Sequence, residues 1–273
     1  MLSFSRNGMY IIGPAIGAAL VVSVGAGWAI AIDALTWALA ALCMARVKLS
    51  SSTAGDPVEA PSMWRDLLEG WTAFVSLTWV WVVVLAFSLL NAIHAGAWYT
   101  LGPTIAKDTI GEAAWGWVLS AEATGLLLMT LVMMRWRLTF PVRAGMLGVC
   151  LCALPILALG LNPAVLPLVV LAFASGCGTE IFSIGWQTAY HEQVPEQLLS
   201  RVASYDALGS FVAIPVGALV FGPLAAAFDA RDVLVISGVV YVVVALSTLL
   251  SSSVRNLRRA PVETEETDLL SVD

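Results

Sequence analysis

Long apolar stretches separated by short polar breaks dominate the chain. A helix needs about 20 mostly apolar residues to cross the hydrocarbon core of a bilayer, and eight stretches meet this requirement. They are residues 5–25, 28–46, 77–98, 115–134, 143–161, 164–187, 205–228 and 232–252. The pattern therefore predicts an all-α integral membrane protein with eight transmembrane helices.

The one long break, residues 47–76, has two parts. It begins with a stretch rich in serine, followed by glycine and proline, which is typical of a flexible linker. Trp64, Leu67, Leu68 and Trp71 then recur at helical spacing with charged residues between them. This spacing predicts an amphipathic helix that lies on the membrane surface.

Composition excludes a soluble domain. The chain is 59% hydrophobic and 12% charged, whereas soluble domains carry about 25% charged residues. Five of its acidic residues lie in the last eleven positions, which predicts a disordered acidic tail over residues 255–273. No basic cluster indicates a nucleic acid partner, so the lipid bilayer is the main predicted partner.

Basic residues indicate the orientation of the chain, because Lys and Arg accumulate on the cytoplasmic side of membrane proteins. If the N-terminus is cytoplasmic, the opposite side holds only Lys107 and Arg231. The cytoplasmic segments then hold Arg6, Arg46, Lys48, Arg65, Arg135, Arg137, Arg143, Arg201, Arg255, Arg258 and Arg259. We therefore predict a multi-pass protein of the inner (plasma) membrane with both termini in the cytoplasm.

An internal repeat relates the first and seventh stretches. Gly8 and Pro14 recur 201 residues later as Gly209 and Pro215. Paired helices interrupted by glycine and proline are typical of transporters built from repeats, although chance is an alternative because membrane helices are rich in both residues. The repeat that ends at residue 252 holds six predicted spans and the one that ends at residue 46 holds two. If they are equivalent, four helices are missing before Met1.

Three segments resemble the major facilitator superfamily, and within it the efflux branch similar to the enterobactin exporter. Gly13–Ala18 resembles the antiporter motif of the fifth helix, and Trp28–Trp37 is similar to the start of the sixth. Glu192–Pro195, followed by Arg201, looks like the loop before the eleventh. The resemblance implies spans five to twelve of a twelve-span transporter, with the four N-terminal spans absent.

The resemblance also implies a division of the chain. Residues 1–46 form the last two helices of an N-terminal bundle, and residues 47–76 form a cytoplasmic linker with an amphipathic helix. Residues 77–254 form a six-helix C-terminal bundle, and residues 255–273 form the acidic tail. The fold expected is thus an N-terminally truncated bundle of the major facilitator type.

Glycine and proline suit helices that move against one another. Gly13 and Gly17 lie one turn apart and form a smooth face, and Pro14 interrupts the helical hydrogen bonds between them. Pro215 and Gly217 repeat this arrangement in the seventh stretch. The two interpretations of these residues are gating and ordinary helix packing.

Ionisable groups within the predicted spans are the candidate pathway for substrate or protons. Burying a charge in a membrane costs about 2.5–3.5 kcal/mol or more. Asp33, His94 and Glu122 lie in the outer halves of their spans, and Glu180 lies deeper. Alternatives are that Asp33 only bonds a neighbouring helix and that His94 is a solvated rim residue. Asp206 is expected to make a helix-end contact near Arg201.

These observations predict a secondary active transporter. The resemblance implies proton-coupled efflux of small amphipathic molecules, drug-like or siderophore-like. The sequence contains no phosphate-binding loop of the kind that an ATP motor needs. It also contains no catalytic or metal-ligand motif, so we expect no enzymatic activity, no cofactor and no metal. Protons are the expected coupling ion. The alternative function is a non-transporting fragment, or a half-transporter that needs a partner bundle, because alternating access requires two bundles.

Overall fold

The computed structural model describes residues 26–46 and 63–259. The chain divides into two units, Met1–Pro61 and Ser62–Asp273. The first contributes helix α1 (Ala26–Ala45), which covers the predicted stretch 28–46. The predicted stretch 5–25, with Gly13, Pro14 and Gly17, lies outside the described residues. Residues 47–62, predicted as a flexible linker, and residues 260–273 of the predicted acidic tail also lie outside the described residues.

The second unit is a bundle of helices. Six of them, α3 to α8, are long and apolar enough to cross a membrane, and residues 26–46 and 63–259 contain no β-strand. The helices are α2 (Met63–Ser76), α3 (Thr78–Thr109), α4 (Glu112–Met133), α5 (Pro141–Leu161), α6 (Val165–Gln193), α7 (Glu196–Ala227), α8 (Ala230–Leu250) and the short α9 (Ser252–Arg255). The predicted all-α membrane architecture is confirmed.

Three helices extend well beyond their predicted ends. Helix α3 continues to Thr109 rather than residue 98, and α6 continues to Gln193 rather than residue 187. Helix α7 begins at Glu196 rather than residue 205. The extensions contain polar residues, so a prediction based on apolar stretches leaves them out of the spans. Polar residues still form helical hydrogen bonds, and the helices therefore continue through them.

A wide turn interrupts α3. Residues His94–Leu101 form a π-helical segment, and the Thr100 hydroxyl donates to the carbonyl of Ala95, five residues earlier, at 2.9 Å. Pro103 follows within the next turn. Because proline has no N–H and its ring clashes with the carbonyl four residues before it, the wider turn accommodates it. Such segments occur frequently at functional sites.

Helix α6 packs between α4 and α5, while α3 packs against α7 and α8 packs against α5. The α4–α6 contact depends on glycine: a Cβ at Gly176 would overlap the carbonyl of Glu122. The α3–α7 contact is similar, because a Cβ at Gly217 would overlap the backbone of Ala92. These close approaches fix the depth at which side chains of neighbouring helices meet.

Helix α2 is the predicted amphipathic helix. It packs on α7, where the Tyr205 hydroxyl donates to the carbonyl of Leu67 at 2.7 Å and Arg201 pairs with Glu69 at 2.7 Å. Leu68 and Trp71 remain more than half exposed. A helix is thus present over Met63–Ser76, and its position on the membrane surface stays a prediction.

Candidate functional site

Glu122 and Trp98 form a buried pair between α3 and α4. The indole Nε1 of Trp98 donates to Oε2 of Glu122 at 3.0 Å. Trp98 is fully buried and Glu122 is 9% exposed. Trp98 belongs to the π-helical segment of α3, so the wide turn and the close α4–α6 contact together set the geometry of this pair. We call it the Glu122 pair.

A small cavity lies next to the Glu122 pair. The rings of Trp98 and Trp115 are 4.7 Å apart between centroids. Trp115 also lines a cavity of about 300 Å³, whose rim carries Lys107 and Glu112 as an exposed ion pair at 3.1 Å. Trp115 therefore separates this cavity from Trp98, whose indole donates to Glu122.

Two buried polar atoms near the centre of the bundle have no hydrogen-bond partner within the described part of the chain. They are the hydroxyl of Ser175 and Nδ1 of His94. Ser175 precedes Gly176 at the α4–α6 contact. The Sγ of Cys152 lies nearby on α5, 3.2 Å from the hydroxyl of Thr179. Because unpaired buried polar groups are rare in proteins, these atoms mark positions where a water or a ligand can bind.

His94 lies among aromatic rings rather than on an open surface. Its ring centroid is 5.0 Å from that of Tyr99, in an edge-on arrangement, and 6.4 Å from that of Tyr241 on α8. With its Nδ1 buried, it faces the interior of the bundle at the start of the π-helical segment. His94 as a whole is partly exposed, and both its pathway role and its rim role stay predictions.

Glu180 lies farther along the same α4–α6 contact. The Thr130 hydroxyl donates to Oε1 of Glu180 at 2.8 Å, and both side chains are partly buried. Asp33 belongs to the first unit, where its side chain is exposed and its carbonyl accepts from the Thr36 hydroxyl at 2.7 Å. The structure thus places Glu122 and Glu180 along one helix contact, with His94 on α3.

Asp206 has partners that the sequence did not indicate. Its Oδ2 accepts from the indole Nε1 of Trp186 at 3.3 Å, and its Oδ1 accepts from the Ser210 hydroxyl at 3.4 Å. Arg201, its expected neighbour, pairs with Glu69 instead. We call this contact between α6 and α7 the Asp206 pair. An indole facing a carboxylate on another helix has no signature in the sequence.

The Asp206 pair lies toward the end of the bundle where α6 and α7 connect, whereas Glu122 lies halfway along α4. Successive helices run in alternating directions, so the α3–α4 connection and the α6–α7 connection are at different ends. Of the predicted gating residues, Gly217 contacts Ala92 of α3, and Pro215 lies on an exposed face of α7.

The six long apolar helices define a polytopic membrane protein. The family model of the Major Facilitator Superfamily matches residues 87–271. The chain belongs to this superfamily, which confirms the family predicted from the sequence. No curated protein matches the chain. A family of secondary transporters implies a multi-pass protein in a lipid bilayer that carries a small-molecule substrate.

Proposed function

We propose that the protein exports small amphipathic molecules from the cell in exchange for protons. One observation carries this proposal: Glu122 is buried inside a span and is held by an indole N–H. Within the described residues no Lys or Arg forms an ion pair with it. We assign it the role of proton-binding carboxylate.

The physical reason lies in the cost of burial. A carboxylate with no neighbouring cation is strongly disfavoured in a medium of low polarity. Binding a proton removes this cost, and so does binding a cationic group of a substrate. A carboxyl group that alternates between these two states couples the movement of one to the movement of the other. The indole of Trp98 supports the ionised form during the exchange.

The apolar character of the substrate is supported by a groove along the α4–α6 contact. The groove has a volume of about 700 Å³, and Arg135 and Trp136 lie at one end of it. Its other lining residues are Leu128, Met129, Leu131, Val132, Phe173 and Cys177. An apolar surface that ends in a cation and an indole suits a molecule with one polar end.

Direction and location complete the proposal. The excess of basic residues on one side supports cytoplasmic termini in a plasma membrane. Protons then enter from the outside, where their concentration is higher, and the substrate leaves. His94, Glu180 and Asp33 are proposed as further polar positions of the pathway. Pro215 and Gly217, with the first-span residues Gly13, Pro14 and Gly17, are proposed for gating or packing.

The test compares Glu122→Gln with Glu112→Gln in proteoliposomes that contain the whole chain. Glutamine keeps an oxygen for the Trp98 N–H but cannot take up a proton. Glu112 is exposed at the start of the same helix and serves as the matched control. Efflux of ethidium and of 2,3-dihydroxybenzoate is measured with and without a pH gradient. We expect the gradient to accelerate efflux in the wild type and the control only. Full acceleration in Glu122→Gln would show the proposal to be wrong.

A second candidate function is that of a half-transporter that works with another helical bundle. Helix α4 favours it, because Gly116, Ser120 and Thr124 recur every four residues on an exposed face, and stripes of small residues mediate helix association in membranes. A flux assay on the chain alone separates the two candidates. Robust gradient-driven flux from this chain by itself argues against the half-transporter.

A further inference from the structure

We propose that Asp206, toward the end of the bundle where α6 and α7 connect, is a second proton-binding carboxylate besides Glu122, which lies halfway along α4. Its part in transport rests on the proposed function, whereas its protonation is a property of the Asp206 pair alone. The inference starts from a likeness between the two pairs: in each, a tryptophan N–H of one helix donates to a carboxylate of another.

The Asp206 pair is anchored by aromatic packing on one side. The ring of Trp186 lies 5.4 Å from that of Trp79, 6.0 Å from that of Phe182 and 5.9 Å from that of Tyr190. Trp79, Trp186 and Tyr190 are all buried. This packing holds the indole ring of Trp186 in one orientation and excludes water from the ring, so its N–H remains directed at Asp206.

The other side of the Asp206 pair is open. Asp206 and its neighbour Tyr205 are partly exposed, and Ser204 and Ala203, farther toward the start of α7, are exposed. Helix α7 continues past this point for two further turns to Glu196. A carboxylate with a fixed donor on one side and water on the other can exchange protons without a large rearrangement of the helices.

Few other charged or titratable groups face Asp206. On α6 the nearest is Tyr190, whose hydroxyl donates to the carbonyl of Leu199 at 3.0 Å. Glu69 of α2 pairs with Arg201. The part of α3 packed against this end, residues 78–93, contains no titratable side chain. Among the residues that the structure describes, no Lys or Arg forms an ion pair with Asp206, so its proton uptake is a property of the Asp206 pair.

The proposed step is simple proton binding. A proton from cytoplasmic water binds a carboxylate oxygen of Asp206, and the Trp186 N–H continues to donate to Oδ2. Uptake forms an O–H bond on the carboxylate of Asp206 and leaves water from the hydronium ion that donated the proton. Release breaks that O–H bond, returns the proton to water and restores the carboxylate. Glu122 exchanges protons halfway along α4, so the bundle holds one proton-binding group at mid-depth and one nearer the α6–α7 connection.

Infrared difference spectroscopy tests the protonation directly. The whole chain in liposomes is titrated from about pH 8 to about pH 5, and the C=O stretch of protonated carboxylic acids is recorded. We expect a band that Asp206→Asn abolishes and that Asp229→Asn leaves in place. Asparagine keeps an acceptor for Trp186 and Ser210, so the fold is preserved. Asp229 is an exposed helix cap whose capping role asparagine retains.

Transport assays then test whether the protonation of Asp206 that the infrared band reports is part of the transport cycle. In Asp206→Asn, gradient-driven ethidium efflux should fall about tenfold or more, while ethidium exchange at equal pH is unchanged. If no band depends on Asp206, or if the variant keeps full gradient-driven efflux, the inference is wrong. If the wild type shows no gradient-driven efflux, the proposed function fails, and the band alone decides whether Asp206 binds protons.

Discussion

The Glu122 pair and the Asp206 pair use the same donor and acceptor types but differ in enclosure. Glu122 is 9% exposed and accepts from a fully buried Trp98 at 3.0 Å. Asp206 is partly exposed, and its bond to Trp186 is longer, at 3.3 Å. The buried Glu122 can therefore contact water only after the protein moves, whereas the partly exposed Asp206 can contact water without such a movement.

This difference has an energetic consequence. If an enclosed carboxylate loses its hydrogen-bond donor, it is left without a partner, and the folded protein is destabilised by the desolvation cost of a charged acceptor. Losing a donor to a carboxylate near water costs less, because water replaces it. The four predictions below test this contrast and the helix contacts that maintain it.

The largest effect is expected at Gly176, where α6 touches the backbone of Glu122. In Gly176→Val the added side chain must displace the carbonyl of Glu122, which should lower the free energy of unfolding by about 3 kcal/mol. Gly222→Ala is the control, because nothing lies within 4 Å of a Cβ there. Unfolding in mixed detergent micelles measures both. Equal stability of the two variants would contradict the close contact.

Trp98→Phe should have the next largest effect. It keeps most of the ring but removes the N–H that Glu122 accepts, so we expect about 2 kcal/mol of destabilisation. Trp117→Phe is the matched control, since Trp117 is 70% exposed. The measurement is again unfolding in mixed micelles. A Trp98→Phe variant as stable as the control would mean that the indole N–H contributes nothing to the pair.

Trp186→Phe should cost less than Trp98→Phe, about 1 kcal/mol, because water can reach the released oxygen of Asp206. Trp136→Phe, at a 67% exposed position, is the control. This variant sharpens the comparison of the two pairs most directly. If Trp186→Phe proves more damaging than Trp98→Phe, enclosure does not decide the strength of these bonds.

The smallest effect is expected for Glu69→Gln. The ion pair with Arg201 that helps to hold α2 on α7 is partly exposed, and pairs that water reaches contribute about 0–1 kcal/mol. The loss should disappear in high salt, where the wild-type pair is itself screened. Proteolysis of the linker side of α2 at low and high salt provides the measurement. A large effect that persists in high salt would indicate that Glu69 does more than form this pair.

The spans were predictable because their signal is local. An apolar stretch of sufficient length requires a helix across the membrane wherever it occurs in the chain, and residues 143–161 and 232–252 differ from the observed helices by about one turn or less. The polar extensions of α3, α6 and α7 were missed, because apolarity marks the part of a helix inside the hydrocarbon rather than the whole helix.

The candidate site was predictable only in part. Glu122 and Glu180 were recognisable because an acidic residue within an apolar run is costly and therefore conspicuous. Their partners were not recognisable, since Trp98 and Thr130 meet them only after helices pack. Asp206 was misjudged for the same reason: its neighbour in sequence, Arg201, contacts α2, while its hydrogen-bond donor lies twenty residues away on α6.

The wide turn of α3 gives the Glu122 pair a mechanical property. Residues His94–Leu101 complete their turns with more residues than an α-helix uses. If one such turn tightened to α-helical hydrogen bonds, every residue beyond it would rotate by about 100° relative to those before it, the angle of one residue in an α-helix. Trp98 would then leave Glu122, and the end of α3 that carries Lys107 would turn with it. A single local change of winding would thus couple the loss of the Trp98–Glu122 hydrogen bond to a rotation of the end of α3.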